Sequence, residues 1–285
     1  MLTLYVTICH LGFVLLVAFV GPAVADPATP GVEVKFFLDL SVALDRSHRP
    51  THDVLTAFRV SKAPVKIRMQ FLDSRALELH KAGWNVRLRT VGGKDCVELN
   101  YKRRYPVTDG IDATLTLAAS EGFDAGEGDY EPELEWGYEQ QTLTFSNEKT
   151  QSCGSKQLTL PSAKNARTMA IKALPGKLQR FKDDGWAKGI LAGAKVYGPA
   201  EGWRWIGSHP AVDDKIAIEV WALTGADGTR TERIVEVSFK KKQLHDSTLA
   251  ARTALRHVLE QNRWLLDKDV LKTTLILKGN AGSNR

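Results

Sequence analysis

Residues 71–89, FLDSRALELHKAGWNVRLR, decide how this chain is read. Phe71-Leu72-Asp73 ends an alternating run of strand type. Asp73 or Ser74 can accept a backbone N–H and cap a short helix. Ala76, Leu77 and His80 fall near helical spacing, and Gly83 suits the left-handed position that stops a helix. Beyond it, Val86 and Leu88 point one way and Arg87 and Arg89 the other, because strand side chains alternate. The stretch therefore predicts a strand, a helix over 73–82, and a second strand over 84–91 that shows two guanidinium groups on one face.

The same alternation runs outward in both directions. Strands are expected at 32–40, 64–72 and 95–107, then at 113–119, 133–147, 195–207, 214–224, 233–242 and 271–278. Helices are expected at 50–58 and 247–264, and over 162–184 with a break at Leu174-Pro175-Gly176. Many alternating strands with few helices predict a mainly β, α+β chain built on an antiparallel sheet or closed barrel. The polar faces carry Glu33 and Lys35, then Lys66, Arg68 and Gln70, then Arg87 and Arg89. Glu98, Asn100 and Lys102, Glu219, and Glu236, Ser238 and Lys240 continue the pattern. On an open sheet such faces would simply be solvated. In a closed barrel they would meet around one lumen. There, Arg and Lys suit phosphate oxygens, and glutamates from different strands suit Mg²⁺ or Mn²⁺.

The 285-residue chain has a formal net charge of +6, a balance that favours anionic partners without selecting a nucleic acid. Residues 11–20 are almost wholly apolar, and Ala23-Val24-Ala25 before Asp26 fits a small-residue cleavage site. Residues 1–25 are therefore expected to be a signal peptide, the protein secreted and extracellular, and the mature chain free of a membrane span. An uncleaved anchor is the alternative, because residues 2–24 are long enough to cross a bilayer. Cys9 leaves with a cleaved leader, so Cys96 and Cys153 remain as an expected disulfide in an oxidising compartment. Residues 121–139 hold eight acidic residues and several glycines and are expected to form a solvated acidic loop feeding a strand.

Several segments together resemble one superfamily. Gly31-Val32-Glu33-Val34-Lys35 matches the second Glu and the Lys of a first-strand E-x-E-x-K motif. Phe71-Leu72-Asp73-Ser74, Leu77 to Gly83, and Val86-Arg87-Leu88-Arg89 are similar to a Y-x-D-T…L…G…L-R-x-R block. Glu98-Leu99-Asn100-Tyr101-Lys102 resembles the next strand, and Ile218-Glu219-Val220-Trp221 and Val235-Glu236-Val237-Ser238-Phe239-Lys240 resemble later ones. These are features of the CYTH, or triphosphate tunnel metalloenzyme, superfamily, which includes thiamine, inorganic and RNA triphosphatases and class IV adenylyl cyclases. The resemblance implies a single CYTH-like antiparallel closed barrel over 32–279 with short flanking helices, after an arm at 26–31 and before a flexible tail at 280–285. It implies phosphate contacts from Lys35, Arg87, Arg89, Lys102 and Lys240, and Mg²⁺ or Mn²⁺ ligands from Glu33, Glu219 and Glu236. No catalytic base is assigned by it. Gly31 stands where the family has its first motif glutamate, and Ser238 where it often has a second acidic residue. The implied activity is metal-dependent hydrolysis of an inorganic or organic triphosphate, with an anionic phosphate-bearing small molecule as partner. The alternative is a non-catalytic secreted module of the same fold that binds a polyanionic ligand or a protein.

Overall fold

A computed structural model of the chain describes residues 25–152, 158–224 and 231–279. All but the last residue of the expected leader, and the whole expected tail, lie outside the described residues. Among the described residues are ten strands: β1 (Gly31–Leu38), β2 (Val65–Asp73), β3 (Trp84–Val91), β4 (Cys96–Pro106), β5 (Glu131–Trp136), β6 (Gln141–Ser152), β7 (Lys195–His209), β8 (Val212–Thr224), β9 (Thr231–Lys241) and β10 (Leu265–Leu266). The helices are α1 (Leu40–Ala43), α2 (His52–Ala57), α3 (Glu78–Lys81), α4 (Ile111–Ser120), α5 (Ala163–Lys172), α6 (Gly176–Gln179), α7 (Trp186–Ala192), α8 (Asp246–Gln261) and α9 (Lys272–Gly279). None of the helices among the described residues is long and apolar enough to cross a membrane.

Nine strands run in the order β1-β5-β6-β4-β3-β2-β7-β8-β9, and β9 pairs back onto β1 to close a barrel. The two-residue β10 extends the edge of β1 beyond β5. Every pairing is antiparallel except β1 with β5, which run parallel. The expected antiparallel closed barrel with short flanking helices is present, with this one parallel pair in it. Helix α4 intervenes between β4 and β5, and β5 enters in the same direction as β1.

The apolar faces of the strands point outward and are covered by helices. Trp84, Val86, Leu88, Leu99, Tyr101 and Phe145 pack under Leu79 of α3, Ala118 of α4, Ala166 and Ala170 of α5, Leu178 of α6 and Leu191 of α7. Val32, Val34, Phe36, Ile218, Val237 and Phe239 pack under Val54 of α2 and Leu255 and Leu259 of α8. Burial outside the barrel is what stabilises it, by roughly 25 cal/mol per Å² of apolar surface removed from water. The interior is thereby left largely to polar residues, beside one apolar sector that includes Met69 and Phe71 of β2.

The 71–89 segment folds as its residues dictate. The Asp73 carboxylate accepts N–H donors from Leu79 at 3.0 Å and His80 at 2.9 Å, which ties the start of α3 to the end of β2. Gly83 has φ +77° and ends α3 in the left-handed region, as its position implied. The break at 174–176 is also present, between α5 and α6.

Four expectations are corrected. Residues 113–119 lie in α4, not in a strand. Thr114 and Thr116 donate their hydroxyls to the carbonyls of Gly110 and Asp112 one turn back, so an alternation that looked like a strand is satisfied in a helix. Residues 271–278 form most of α9, because the adjacent residues Ile276 and Leu277 are both buried in one apolar cluster, which a strand would place on opposite faces. Residues 133–147 divide into β5 and β6, with a turn between them. In β2 the apolar residues Met69 and Phe71 face the lumen, while Arg68 and Gln70 face out and donate to the carbonyls of Leu158 and Pro161 at 3.1 Å each. Cys96 forms no disulfide among the described residues. Its register partner is Ser152, and Cys153, with which a bridge was expected, lies outside the described residues.

Candidate functional site: a charged barrel lumen

A cavity of about 340 Å³ runs into the barrel. Its wall includes Glu33 and Lys35 from β1, Arg87 and Arg89 from β3, Lys102 from β4, Glu219 from β8, and Glu236 and Lys240 from β9. All eight residues singled out by sequence for phosphate or metal thus meet in one space. Alternation accounts for Glu33, Lys35, Arg87, Glu219 and Glu236, whose neighbours along the strand are all apolar, and Arg89, Lys102 and Lys240 follow on the same faces. The wall also holds Glu133, Glu135, Arg104, Arg204 and Lys272, none of which the sequence reading selected. Glu133 and Glu135 fall where the expected acidic loop at 121–139 overlaps the expected strand at 133–147, and neither was selected as a site residue. Arg104 continues the Asn100, Lys102 series along β4. Arg103 instead points outward and stacks on Tyr105 and Phe181, at 4.5 and 5.0 Å from their ring centres.

Three clusters divide the wall. The first follows from the parallel β1–β5 register, which sets Glu133 beside Gly31 and Glu135 beside Glu33. Carboxylate oxygens of Glu33, Glu133 and Glu135 lie within 4.8 Å of one another. Glu133 thus brings a carboxylate to the strand position next to the missing motif glutamate. Lys240 donates to Glu133 at 2.5 Å, Lys102 to Glu135 at 2.9 Å, and Arg104 to both Glu135 oxygens at 2.9 and 3.0 Å. Lys35 lies 3.5 Å from Glu33. Burial works to raise the Glu135 carboxyl, but Arg104, Lys102 and Lys35 outweigh it and hold it well below the usual range. Burial and the neighbouring Glu33 push Glu133 up. Three close oxygen donors of this kind fit a hard divalent ion such as Mg²⁺ or Mn²⁺.

The second cluster joins Glu219 and Glu236, which face each other across β8 and β9. Arg204 donates to Glu219 at 2.5 Å, and the Trp221 indole N–H donates to its other oxygen at 2.7 Å. Lys272, the first residue of α9, reaches both glutamates. Burial raises the Glu219 carboxyl, but Lys272 and then Arg204 hold it well below its ordinary range. Glu236 is pushed up to about 7, by burial and by the facing Glu219. Glu33 lies with the β5 glutamates and not in this pair.

The third cluster contains the arginines. Arg89 donates to Glu98 at 2.5 Å, and Lys94 donates to the other Glu98 oxygen at 2.8 Å. Arg87, two residues earlier on the same face, makes no hydrogen bond or ion pair among the described residues, and its Nε is buried without a partner. Burial, and then the charge of Arg89, lower its guanidinium to about 10. Taken together the wall carries eight Lys or Arg against five Glu. An anion is what such a wall lacks. Phe37, Met69, Phe71 and Trp221 form an apolar sector of the wall that packs with Ile276 and Leu277 of α9.

No family model matches the sequence, and no curated protein is significantly similar to it. Solved structures do resemble it. A Hippeastrum protein, described as a candidate adenylyl cyclase with a dominant triphosphatase activity, aligns over 87% of this chain and 95% of its own, with a TM-score of 0.51 and 12% identity. A Bacillus halodurans protein, described as a candidate adenylate cyclase, aligns over 86% of this chain and 96% of its own, with a TM-score of 0.47 and 10% identity. At 12% identity the likeness to the Hippeastrum protein is one of fold.

Proposed function

We propose that the lumen binds a triphosphate-bearing small molecule and hydrolyses it with the help of a divalent ion. The observation that carries this reading is Arg87, a half-buried guanidinium facing the cavity without a counter-ion. Leaving a buried charge unpaired is costly, so a fold that retains one gains from a ligand that pairs it. Arg87 and Arg89 present forked donors to phosphate oxygens from one side. Lys102 and Arg104 on the adjacent strand β4, with Lys35 on β1 and Lys240 on β9, line the same cavity as further cations. Glu33, Glu133 and Glu135 would hold Mg²⁺ or Mn²⁺, which when bound would supply positive charge against that developing on the phosphates. The enclosed wall orients the chain of phosphates and limits access of bulk water.

A second reading is favoured by a specific observation: each carboxylate of the first cluster already has a Lys or Arg beside it. A lumen neutralised in this way suits a non-catalytic module that binds a polyanion. Phosphate release from tripolyphosphate separates the two. The hydrolase reading expects release with Mg²⁺ or Mn²⁺, none with chelator, and loss in Glu135→Gln. The binding reading expects no release but retained affinity. Absence of both would refute the two together. As part of the same proposal, the leader at 1–25 exports the protein and Cys96 pairs with Cys153. Mass spectrometry of the exported chain tests both, and an intact N-terminus or two free thiols would contradict them.

A further inference from the structure

Lys272 sits where the lumen meets α9, and its surroundings are unusual for a surface-type cation. Its Nζ donates to Glu236 at 2.7 Å and to Glu219 at 3.2 Å, and it lies 4.2 Å from the centre of the Trp221 ring. Glu219 and Glu236 are 5% and 3% exposed, and they are direct cross-strand neighbours. Like charges so placed repel, so the pair needs a cation to be stable. Either a divalent ion or an ammonium could supply it. An ammonium offers three donors, and two carboxylates and an aromatic face use what it has. A Mg²⁺ or Mn²⁺ ion bound by the same two glutamates would need the space between them that Nζ fills.

We infer that Lys272 is a resident cation of the tunnel, which takes the place of a divalent ion at the Glu219–Glu236 pair and limits metal loading to Glu33, Glu133 and Glu135. The chain thereby supplies one of its lumen cations from α9 instead of drawing it from solution. Anchoring α9 by this contact also holds its apolar residues Ile276 and Leu277 in the cluster with Phe37, Met69, Phe71 and Trp221. This inference rests on the reading that the first cluster takes a divalent ion, and its test keeps the two apart.

The test is Mn²⁺ binding to the full chain, followed by calorimetry and by the loss of the free-ion electron paramagnetic resonance signal. The wild type is expected to bind one ion per chain, lost in Glu135→Gln. Lys272→Met, which keeps the length of the stem but not the charge, is expected to bind a second ion that Glu236→Gln removes again. Lys272→Arg is expected to stay at one. Lys272→Gln serves as a second neutral variant should the methionine variant not fold. A wild type that binds two ions, or neutral variants with the wild-type stoichiometry, would overturn the inference. A wild type that binds none while Lys272→Met binds one would uphold Lys272 as the resident cation and refute metal binding at the first cluster.

Discussion

Arg87 and Arg89 are two residues apart on β3 and face the same cavity, yet only Arg89 has a carboxylate partner. The difference gives opposite expectations for stability. Arg89→Ala leaves Glu98, which is 4% exposed, with Lys94 alone, and should lower the melting temperature. Arg87→Ala removes an unpaired buried charge, so the melting temperature should hold or rise. Its cost should fall on tripolyphosphate affinity, by about 10- to 100-fold for lost charge-assisted hydrogen bonds. Calorimetry and thermal melts on both variants check this; a less stable Arg87→Ala with unchanged affinity would make Arg87 structural. Glu236 makes a second residue-scale prediction. Its folded-state pKa of about 7 lies above the ordinary carboxyl value of 4.5. The folded protein then keeps a proton that the unfolded chain releases between these values, so this group makes stability fall as pH rises through that window. Glu236→Gln should therefore gain melting temperature relative to wild type between about pH 5 and pH 8. A constant difference between the two proteins across that range would refute the shift. At this scale the sequence was legible where alternation was clean, as for Glu33, Lys35, Arg87, Arg89 and Lys102. It was not legible for Glu133 and Glu135, whose glycine-rich acidic surroundings resemble a loop, nor for Lys272, which lies in a segment of strand-like composition.

At the scale of elements, the block from β2 to β4 could be read because its determinants are local: a capping Asp73, a left-handed Gly83 and period-two strands. The faces of β2 were misread because alternation states that two faces differ and not which one is inward. Here the inward face is apolar, since Met69 and Phe71 join the sector that α9 packs against, and the outward polar face finds partners in the 158–161 segment. Helix α9 was misread because Thr273, Thr274, Leu275 and Ile276 favour a strand by local propensity, whereas burial of its apolar residues decides the outcome. That burial can be measured. Leu277 is 2% exposed, and Leu277→Ala should destabilise the fold by about 2–5 kcal/mol in urea titrations. Leu271, 49% exposed just before the helix, should tolerate the same change with little loss. Equal effects at the two positions would mean that α9 does not pack against the apolar sector.

For the whole molecule, closure is what turns scattered charged faces into a site, and closure was the least legible feature. The pairing of β1 with β9 joins residues some 200 positions apart, as in Val32 with Lys241, and the parallel pairing of β1 with β5 breaks an otherwise antiparallel pattern. Neither follows from periodicity; closure became an expectation through the family resemblance, and the parallel pair was not expected at all. The closed barrel places cations in excess around a half-enclosed space, and an anion held there should be screened by added salt. The most direct measurement is calorimetric titration of tripolyphosphate into the full chain at low ionic strength. The account predicts saturable binding that weakens as salt is raised and that is reduced in Arg87→Ala. No heat of binding at low salt, or binding unchanged by Arg87→Ala, would contradict it.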